Sequence, residues 1–254
     1  MRRLLIGDKK LRVRDEGGSK RAPVVFIHGA AASSVTWMDV VRRLSPQRRV
    51  IAPDLPGHGQ SDPWHEVSID GYRDAVGTVC AHLAIDKVVL VGHSMGGAIA
   101  LRCALAWPER VAGLVLVCSG ARMRVGPAVL AAFADPTADH AALLAAACYA
   151  PSAPRDLVER WRAVAVQCPP EIALADFQAV HGFDVRDALS SIKAPALAIG
   201  GSDDVMLPPK LTLEAASGLP NARAMIVPHA AHMVHHEQPD AFHAALEAFL
   251  VEVP

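Results

Sequence analysis

The amino-acid sequence predicts an α/β fold, in which helices flank a mostly parallel sheet and a small helical segment is inserted. Two observations predict it. Short β-branched runs that end in Gly, Pro or Asp alternate with helical stretches, as in consecutive strand-helix-strand units. The alternation then stops after Cys118, and about seventy residues pass before the next strand pattern, far more than an ordinary connection needs.

Each predicted element rests on its own local pattern. Six apolar runs read as buried strands, at 23–28, 49–53, 87–92, 111–118, 194–200 and 222–228. Two shorter runs, at 4–6 and 10–14, flank Gly7-Asp8 and predict an N-terminal hairpin at the edge of the sheet. Helical periodicity predicts helices at 70–84, 95–106 and 242–250.

The inserted segment, 122–187, consists of helix patterns separated by prolines, which predicts a small helical cap. The expected organisation is a core in two parts, 1–121 and 188–254, with the cap between them. Arg122 and Arg124 at the mouth of the cap fit either an acidic substrate or a solvated surface. The larger apolar side chains, which fit an acyl pocket or packing between cap and sheet, are Met123, Tyr149, Trp161, Phe177 and Phe183.

The composition excludes several classes of protein. Hydrophobic residues make up 52% of the 254 residues and charged residues 20%, which excludes intrinsic disorder. The formal net charge of −1 gives no general positive field for a phosphate backbone, so we expect no nucleic-acid partner. No apolar run has the length of a membrane span, and Asp8 interrupts the N-terminus before a signal peptide could form. We therefore expect a cytoplasmic protein without a membrane partner.

The sharpest motif is Gly92-His93-Ser94-Met95-Gly96, which lies between a predicted strand and a predicted helix. A serine hydroxyl becomes a useful nucleophile when it is exposed, presented to a base and placed beside donors for an oxyanion. A tight strand-to-helix turn meets these needs, and a Cβ at Gly92 or Gly96 would collide with that turn. Ser94 would stand at the helix N-terminus, where the backbone N–H of Met95 is the natural first oxyanion donor.

Three segments of the chain resemble the α/β-hydrolase superfamily. They are Phe26-Ile27-His28-Gly29-Ala30-Ala31, Asp54-Leu55-Pro56-Gly57-His58-Gly59-Gln60-Ser61-Asp62 and Gly92-His93-Ser94-Met95-Gly96-Gly97. The resemblance extends from the hairpin to the C-terminus and is least informative in the cap. It implies the α/β-hydrolase fold, an eight-stranded, mostly parallel sheet with a cap after the sixth strand, in agreement with the break after Cys118. It also implies a catalytic triad in the chain order Ser, Asp, His.

Two adjacent aspartates compete for the acid of this triad. The family usually has a proline four positions after the acid, and Pro208 stands four positions after Asp204. Asp204 is therefore preferred, and Asp203 is expected to face solvent or to cap the loop.

His232 matches the family's spacing for the base, just past the last predicted strand. The residue before it, Ala231, replaces the family's usual glycine, a departure that leaves the base in place. Three other histidines, His229, His235 and His236, crowd the same segment and raise the alternative of a metal site. H-x-x-H spacing alone is a weak signal, and an H-E-x-x-H motif is missing, so we expect no metal.

The loop after the first parallel strand is expected to supply the second oxyanion donor, the backbone N–H of Ala30. His28 and His58 are expected to hold loops by hydrogen bonds. The role of His93, next to the nucleophile, is left open.

The predicted reaction is hydrolysis of a carboxylic ester or thioester of a small to medium apolar substrate, through an acyl-enzyme on Ser94. Trp161, Met233 and Met123 are the predicted substrate contacts. The serine excludes the epoxide hydrolases and haloalkane dehalogenases of the superfamily, which carry aspartate at this position. Three alternatives stay open: a carbon–carbon hydrolase of ring-cleavage products, a lactonase or perhydrolase, and a non-catalytic ligand receptor. Against the first, that group usually has tryptophan where this chain has Met233.

A small-molecule substrate is the expected partner, and we expect no cofactor. A homo-oligomer is compatible with the sequence, which carries no motif that decides the oligomeric state. The five cysteines are widely separated within apolar patterns, so we expect buried free thiols.

Overall fold

The computed structural model describes residues 2–18, 21–63, 67–135 and 137–253. Within those ranges, no helix combines the length and the apolar character that crossing a membrane requires.

One eight-stranded sheet runs through the molecule, with strand order β1-β2-β4-β3-β5-β6-β7-β8. The strands are β1 (Arg2–Ile6), β2 (Lys9–Glu16), β3 (Val24–Ile27), β4 (Val50–Pro53), β5 (Val88–His93), β6 (Val111–Val117), β7 (Ala196–Gly201) and β8 (Ala222–Val227). Strand β2 is antiparallel to both of its neighbours, β1 and β4, and every other pair is parallel. The predicted fold class and the N-terminal hairpin at the sheet edge are confirmed.

Ten α-helices lie in the described ranges, and four of them, α4 to α7, lie between β6 and β7. The helices are α1 (Met38–Leu44), α2 (Ile69–His82), α3 (Met95–Ala106), α4 (Pro127–Ala134), α5 (His140–Cys148), α6 (Arg155–Ala165), α7 (Pro170–His181), α8 (Pro209–Gly218), α9 (Val234–Glu237) and α10 (Pro239–Glu252). We call α4 to α7 the cap helices.

The central strands are buried on both faces, which is why their sequences read as continuous apolar runs and not as alternating ones. In β3, Val25 and Ile27 belong to the apolar cluster that contains α2, α3 and α8 side chains. Val24 and Phe26, which point to the opposite face, belong to the cluster that contains α1 and α10 side chains. The sheet is therefore the middle layer of three.

A third apolar cluster joins the cap helices to the core. Phe133, Trp161 and Phe177 of the cap pack in it together with Ala31 and Met233 of the core. Ala31 follows β3 and Met233 follows β8, so the cap helices lie over the carboxyl ends of the parallel strands. In open α/β sheets this is the edge where ligands bind.

Candidate active site

Ser94 occupies the single-residue turn between β5 and α3. Its backbone has φ 52 and ψ −118, a conformation that costs energy for any residue except glycine. Three hydrogen bonds hold it there: its N–H donates to Val117 O (2.9 Å), and its carbonyl accepts from Ser119 Oγ and from Gly97 N–H, each at 2.9 Å. The side chain is half-buried at the N-terminus of α3. A strained backbone conformation at a residue that a tight turn presents is typical of a functional position.

The glycines of the motif are required by close backbone contacts. A Cβ on Gly92 would lie 2.1 Å from Gly96 O, and a Cβ on Gly96 would lie 2.2 Å from Ile27 O. Both separations are far below van der Waals contact with atoms that cannot move aside. The collision expected from the sequence is thus with the turn itself at Gly92 and with the end of β3 at Gly96.

Asp204 and His232 meet at the carboxyl ends of β7 and β8. The Asp204 Oδ2 atom lies 2.8 Å from His232 Nδ1, and both side chains are buried. The other oxygen, Oδ1, accepts hydrogen bonds from the backbone N–H groups of Met206 and Leu207, each at 2.9 Å. Asp203, by contrast, is exposed and is bonded to Ser202 Oγ. Only the second of the two adjacent aspartates can therefore orient the imidazole.

The neighbouring histidines have separate environments and do not converge on one point. His229 is exposed, whereas His236 uses both ring nitrogens, toward Tyr149 Oη and Thr36 O, each at 2.7 Å. His235 is buried and stacks on Trp37 with ring centroids 4.4 Å apart. Among the described residues, the group whose possible ligand atoms do converge is Cys118, Asp204 and His232.

His93 forms a hydrogen bond with the backbone of the loop that carries His232. Its Nε2 lies 2.9 Å from the backbone carbonyl of His232, to which a ring N–H donates. Burial lowers the pKa of His93 well below its ordinary value, and the nearby His232 ring acts in the same direction. A neutral imidazole with its proton on Nε2 fits this geometry, so His93 holds the backbone of His232 without adding charge to the site.

A small cavity of about 20 Å³ lies where the strand ends meet the cap helices. Ser94, His232 and Ala30 line it, together with the predicted substrate contacts Trp161 and Met233. The other lining residues are Gly29, Ala32, His93, Leu144, Cys148, Phe177 and Met206. All of these residues lie in the described ranges, and none is Asp, Glu, Lys or Arg. The walls are therefore apolar around a few polar atoms.

Met123, the third predicted substrate contact, is placed elsewhere. It is buried among the apolar side chains on the α2–α3 face of the sheet and is not among the residues that line the cavity. Arg122 and Arg124 also do not line the cavity. The Arg122 Nε atom lies 3.8 Å from Asp184 Oδ2, and Arg124 is exposed.

The two predicted oxyanion donors lie near Ser94: Met95 follows it in the chain, and Ala30 lines the same cavity. Within the described ranges, neither Ala30 nor Met95 donates its backbone N–H to another protein group. Gly29 brings the Ala30 loop against the serine, since a Cβ on Gly29 would lie 3.2 Å from Ser94 Cβ. Unpaired N–H groups beside a helix N-terminus favour negative charge.

A family model described as the alpha/beta hydrolase family matches residues 24–245. The chain belongs to the alpha/beta hydrolase family. The match covers the strand ends that carry Ser94, Asp204 and His232, and it includes the cap helices. The family resemblance and the enzyme class expected from the sequence, a hydrolase, are thereby confirmed.

Individual members of the family show similarity over most of their length. A pimeloyl-[acyl-carrier protein] methyl ester esterase of Vibrio campbellii is 30% identical over 84% of this chain and 90% of its own. A 2-hydroxy-6-oxo-6-phenylhexa-2,4-dienoate hydrolase of Burkholderia cepacia is 29% identical over 96% of this chain and 93% of its own. A thermophilic esterase of Thermogutta terrifontis superposes with a TM-score of 0.89 at 25% identity, covering 99% of each chain.

Asp176 is a buried polar residue of this alpha/beta hydrolase that the sequence analysis missed. It lies on cap helix α7, is fully buried, and accepts hydrogen bonds from core groups at Ala31, His58 and Tyr72. A signal was present, because Asp176 falls on the same helix face as Ala173 and Phe177, where apolar residues are expected. A carboxylate at such a position needs a partner.

Glu237, on α9 of the core, connects the cap to the loop that carries His232. Its Oε1 accepts from Ala231 N and its Oε2 accepts from Ala150 N, each at 2.9 Å. Burial raises the pKa of Glu237 above its ordinary value. The Glu237 side chain thus binds both Ala231, the residue before His232, and Ala150, which follows cap helix α5.

Proposed function

We propose that this alpha/beta hydrolase is a serine hydrolase that cleaves a carboxylic ester or thioester of a small to medium apolar substrate. The observation that supports it most is the joint arrangement of three side chains. Ser94 and His232 line one cavity, and Asp204 Oδ2 lies 2.8 Å from His232 Nδ1. A nucleophile, a base and an orienting acid in this relation are what acyl transfer needs.

In the proposed first step, His232 Nε2 takes the proton of Ser94 while Ser94 Oγ adds to the ester carbonyl carbon. Asp204 keeps the other proton of the imidazole on Nδ1 and stabilises the imidazolium that forms. The backbone N–H groups of Ala30 and Met95 bind the carbonyl oxygen as it becomes negative. The imidazolium then protonates the leaving alcohol or thiol, and an acyl-enzyme on Ser94 remains.

In the second step a water molecule replaces the alcohol. His232 removes a proton from this water as it adds to the acyl carbon, and the same oxyanion donors act again. Return of the proton to Ser94 Oγ releases the carboxylic acid and restores the enzyme.

The cavity walls support a neutral, apolar acyl group. Leu144, Trp161, Phe177 and Met233 surround the space beside Ser94, and no Asp, Glu, Lys or Arg side chain lines it. An uncompensated carboxylate or ammonium group would lose its hydration there without gaining an ion partner. In the proposal, the cap segment 122–187 selects the substrate and the core carries out the reaction.

Carbon–carbon bond hydrolysis is the second candidate, because the Burkholderia cepacia relative is named for a dienoate substrate. The same three side chains serve that reaction. A dienoate carries a carboxylate, however, and the cavity of this chain offers no lysine or arginine to bind it. An ester substrate is therefore preferred to a dienoate, and a lactone, which is a cyclic ester, falls within the same proposal.

The test is release of p-nitrophenolate from p-nitrophenyl esters of increasing acyl length by the wild type and by Ser94→Ala. Ser217→Ala is the matched control, since Ser217 is an exposed serine on α8, which connects β7 to β8. We expect Ser94→Ala to lower kcat on the order of 10⁶-fold and Ser217→Ala to leave it unchanged. Equal activity of Ser94→Ala and wild type would contradict the proposal. Absence of turnover of every ester by the wild type would redirect the search to dienoates or to a binding function.

A further inference from the structure

The strongest feature outside the three proposed catalytic side chains is the Asp176 carboxylate. It lies on cap helix α7 and all of its hydrogen bonds given by the structure are to the core. Oδ2 accepts from Ala31 N (3.0 Å) and lies 2.8 Å from His58 Nε2, and Oδ1 accepts from Tyr72 Oη (2.6 Å). Both carboxylate oxygens are thus used inside the protein, at a point where the cap meets three separate core segments.

The geometry of His58 shows that this carboxylate is balanced by charge. His58 Nδ1 lies 3.1 Å from the carbonyl of Pro56, and Nε2 lies 2.8 Å from Asp176. Both neighbours are acceptors, so both ring nitrogens must donate, which only the imidazolium can do. The side chains of His58 and Asp176 are fully buried, and a buried pair of this kind is costly to break.

The third contact reaches the loop that carries the proposed oxyanion donor. Ala31 has φ 52, in the left-handed region that an alanine rarely adopts, and its N–H is the group that Asp176 binds. The Ala30 N–H belongs to the preceding peptide, so a single pair of backbone angles separates it from the peptide held by Asp176. Fixing one peptide plane therefore restricts the direction of the other.

We propose that Asp176 is a positioning residue, which through the Ala31 N–H aims the Ala30 N–H at the oxyanion and so makes the oxyanion site depend on a seated cap. This inference rests on the proposed function, because it assumes an oxyanion formed at Ser94. Asp176 itself does not touch the reacting atoms. It acts by keeping a strained loop in the one conformation in which the donor faces the substrate.

The test compares Asp176→Ala with Tyr72→Phe. Asp176→Ala removes all three hydrogen bonds of the buried carboxylate, whereas Tyr72→Phe removes one of them and leaves the bond to the Ala31 N–H in place. We expect Asp176→Ala to lower kcat for a p-nitrophenyl ester by tenfold to about a hundredfold, with KM changed by less than about threefold. Tyr72→Phe is expected to leave kcat and KM at wild-type values although it lowers the melting temperature.

A second measurement reports on the oxyanion itself. An alkyl trifluoromethyl ketone takes up Ser94 Oγ at its carbonyl carbon, the serine proton passes to His232, and the carbonyl oxygen becomes the oxyanion. We expect its inhibition constant to rise in Asp176→Ala by the same factor by which kcat falls, and to stay unchanged in Tyr72→Phe. Unchanged kcat and inhibition constant in a folded Asp176→Ala protein would overturn the inference. Equal losses of kcat in Asp176→Ala and Tyr72→Phe would overturn it as well, because they would indicate general destabilisation.

If Asp176→Ala does not fold, hydrogen exchange in the wild type decides the question. The Ala31 amide is expected to exchange as slowly as the amides of β3, and exchange within seconds would overturn the inference. The Ser94→Ala variant distinguishes failure of the positioning role from failure of the proposed function. Loss of activity in Ser94→Ala with full activity in Asp176→Ala refutes only the positioning role, whereas an active Ser94→Ala refutes the function on which it rests.

Discussion

The core side and the cap side of the active site are held in place by different means. On the core side, backbone hydrogen bonds at the strand ends hold Ser94 and Asp204. On the cap side, two carboxylates make polar contacts between cap and core: Asp176 of the cap, which is buried, and Glu237 of the core, which is half-buried and accepts from Ala150 N of the cap. Backbone geometry gives a fixed arrangement, whereas a few side-chain contacts can change without loss of the fold. We therefore expect changes on the core side to abolish the reaction and changes on the cap side to alter its rate or selectivity.

The two adjacent aspartates test the core side. Asp204→Asn should lower kcat by about 10⁴-fold. An amide favours the wrong tautomer of His232, and it does not stabilise the imidazolium that forms during the reaction. Asp203→Asn should change kcat by less than about twofold, since Asp203 is exposed and its side chain bonds Ser202. Steady-state kinetics with a p-nitrophenyl ester measures both. A large loss in Asp203→Asn alone would mean that the acid has been assigned to the wrong residue.

A second test of the core side concerns the turn around Ser94. Gly96→Ala places a Cβ 2.2 Å from Ile27 O, and we expect it to lower the free energy of unfolding by about 3 kcal/mol or more. Gly126→Ala is the matched control, since a Cβ there meets nothing within 4 Å. Its unfolding free energy should stay within about 0.5 kcal/mol of wild type. Chemical denaturation measures the difference, and equal stability of the two variants would contradict a turn fixed by backbone contact.

On the cap side, Trp161 should control substrate size. It lines the small cavity and also an outer groove of about 270 Å³ between α6 and the start of α1. Trp161→Ala joins the two spaces, so the ratio of kcat/KM for an octanoate ester to that for an acetate ester should rise by about tenfold. Met123→Ala, which also removes a large buried side chain, should lower stability and leave this ratio unchanged. A changed ratio in Met123→Ala would show that Met123 contacts the substrate after all.

A further test of the cap side is the pH dependence of the contact between Asp176 and His58. Burial alone would lower the pKa of His58, but the charge and hydrogen bond of Asp176 outweigh it and raise the pKa to about 10. A raised pKa stabilises the folded state fully below the ordinary value of about 6.5 and progressively less as pH rises through about 10. The other titratable groups that face the pair are His28, Tyr72 and Cys168.

We therefore expect the melting temperature of the wild type to exceed that of His58→Gln by about 6–10 °C at pH 6, because the substitution leaves the buried Asp176 charge without its partner. The gap should narrow toward pH 10. Differential scanning calorimetry at pH 6, 8 and 10 measures it. A gap that stays constant across this range would mean that the charge of His58 contributes nothing, and would weaken the contrast between the cap side and the core side.

The fold and much of the candidate site could be predicted because they depend on local patterns. Gly92 and Gly96 around Ser94 indicate a tight turn wherever a strand precedes it and a helix follows. The choice of Asp204 came from the family resemblance, in which a proline such as Pro208 usually stands four positions after the acid, and the structure finds Asp204 beside His232. Met123 shows the limit of this reasoning, since an apolar residue in the cap segment fits a pocket and a core equally well from sequence alone.

The order of the strands and helices, the family and the segments that carry Ser94, Asp204 and His232 can be predicted from the sequence. Hydrophobic periodicity and turn chemistry act between residues a few positions apart, so they can be read along the chain. The contacts of Asp176 with His58 and Ala31, which lie 118 and 145 positions away along the chain, arise only in the folded protein. A buried carboxylate is stable where donors converge on it, and that convergence exists only once the cap packs on the sheet.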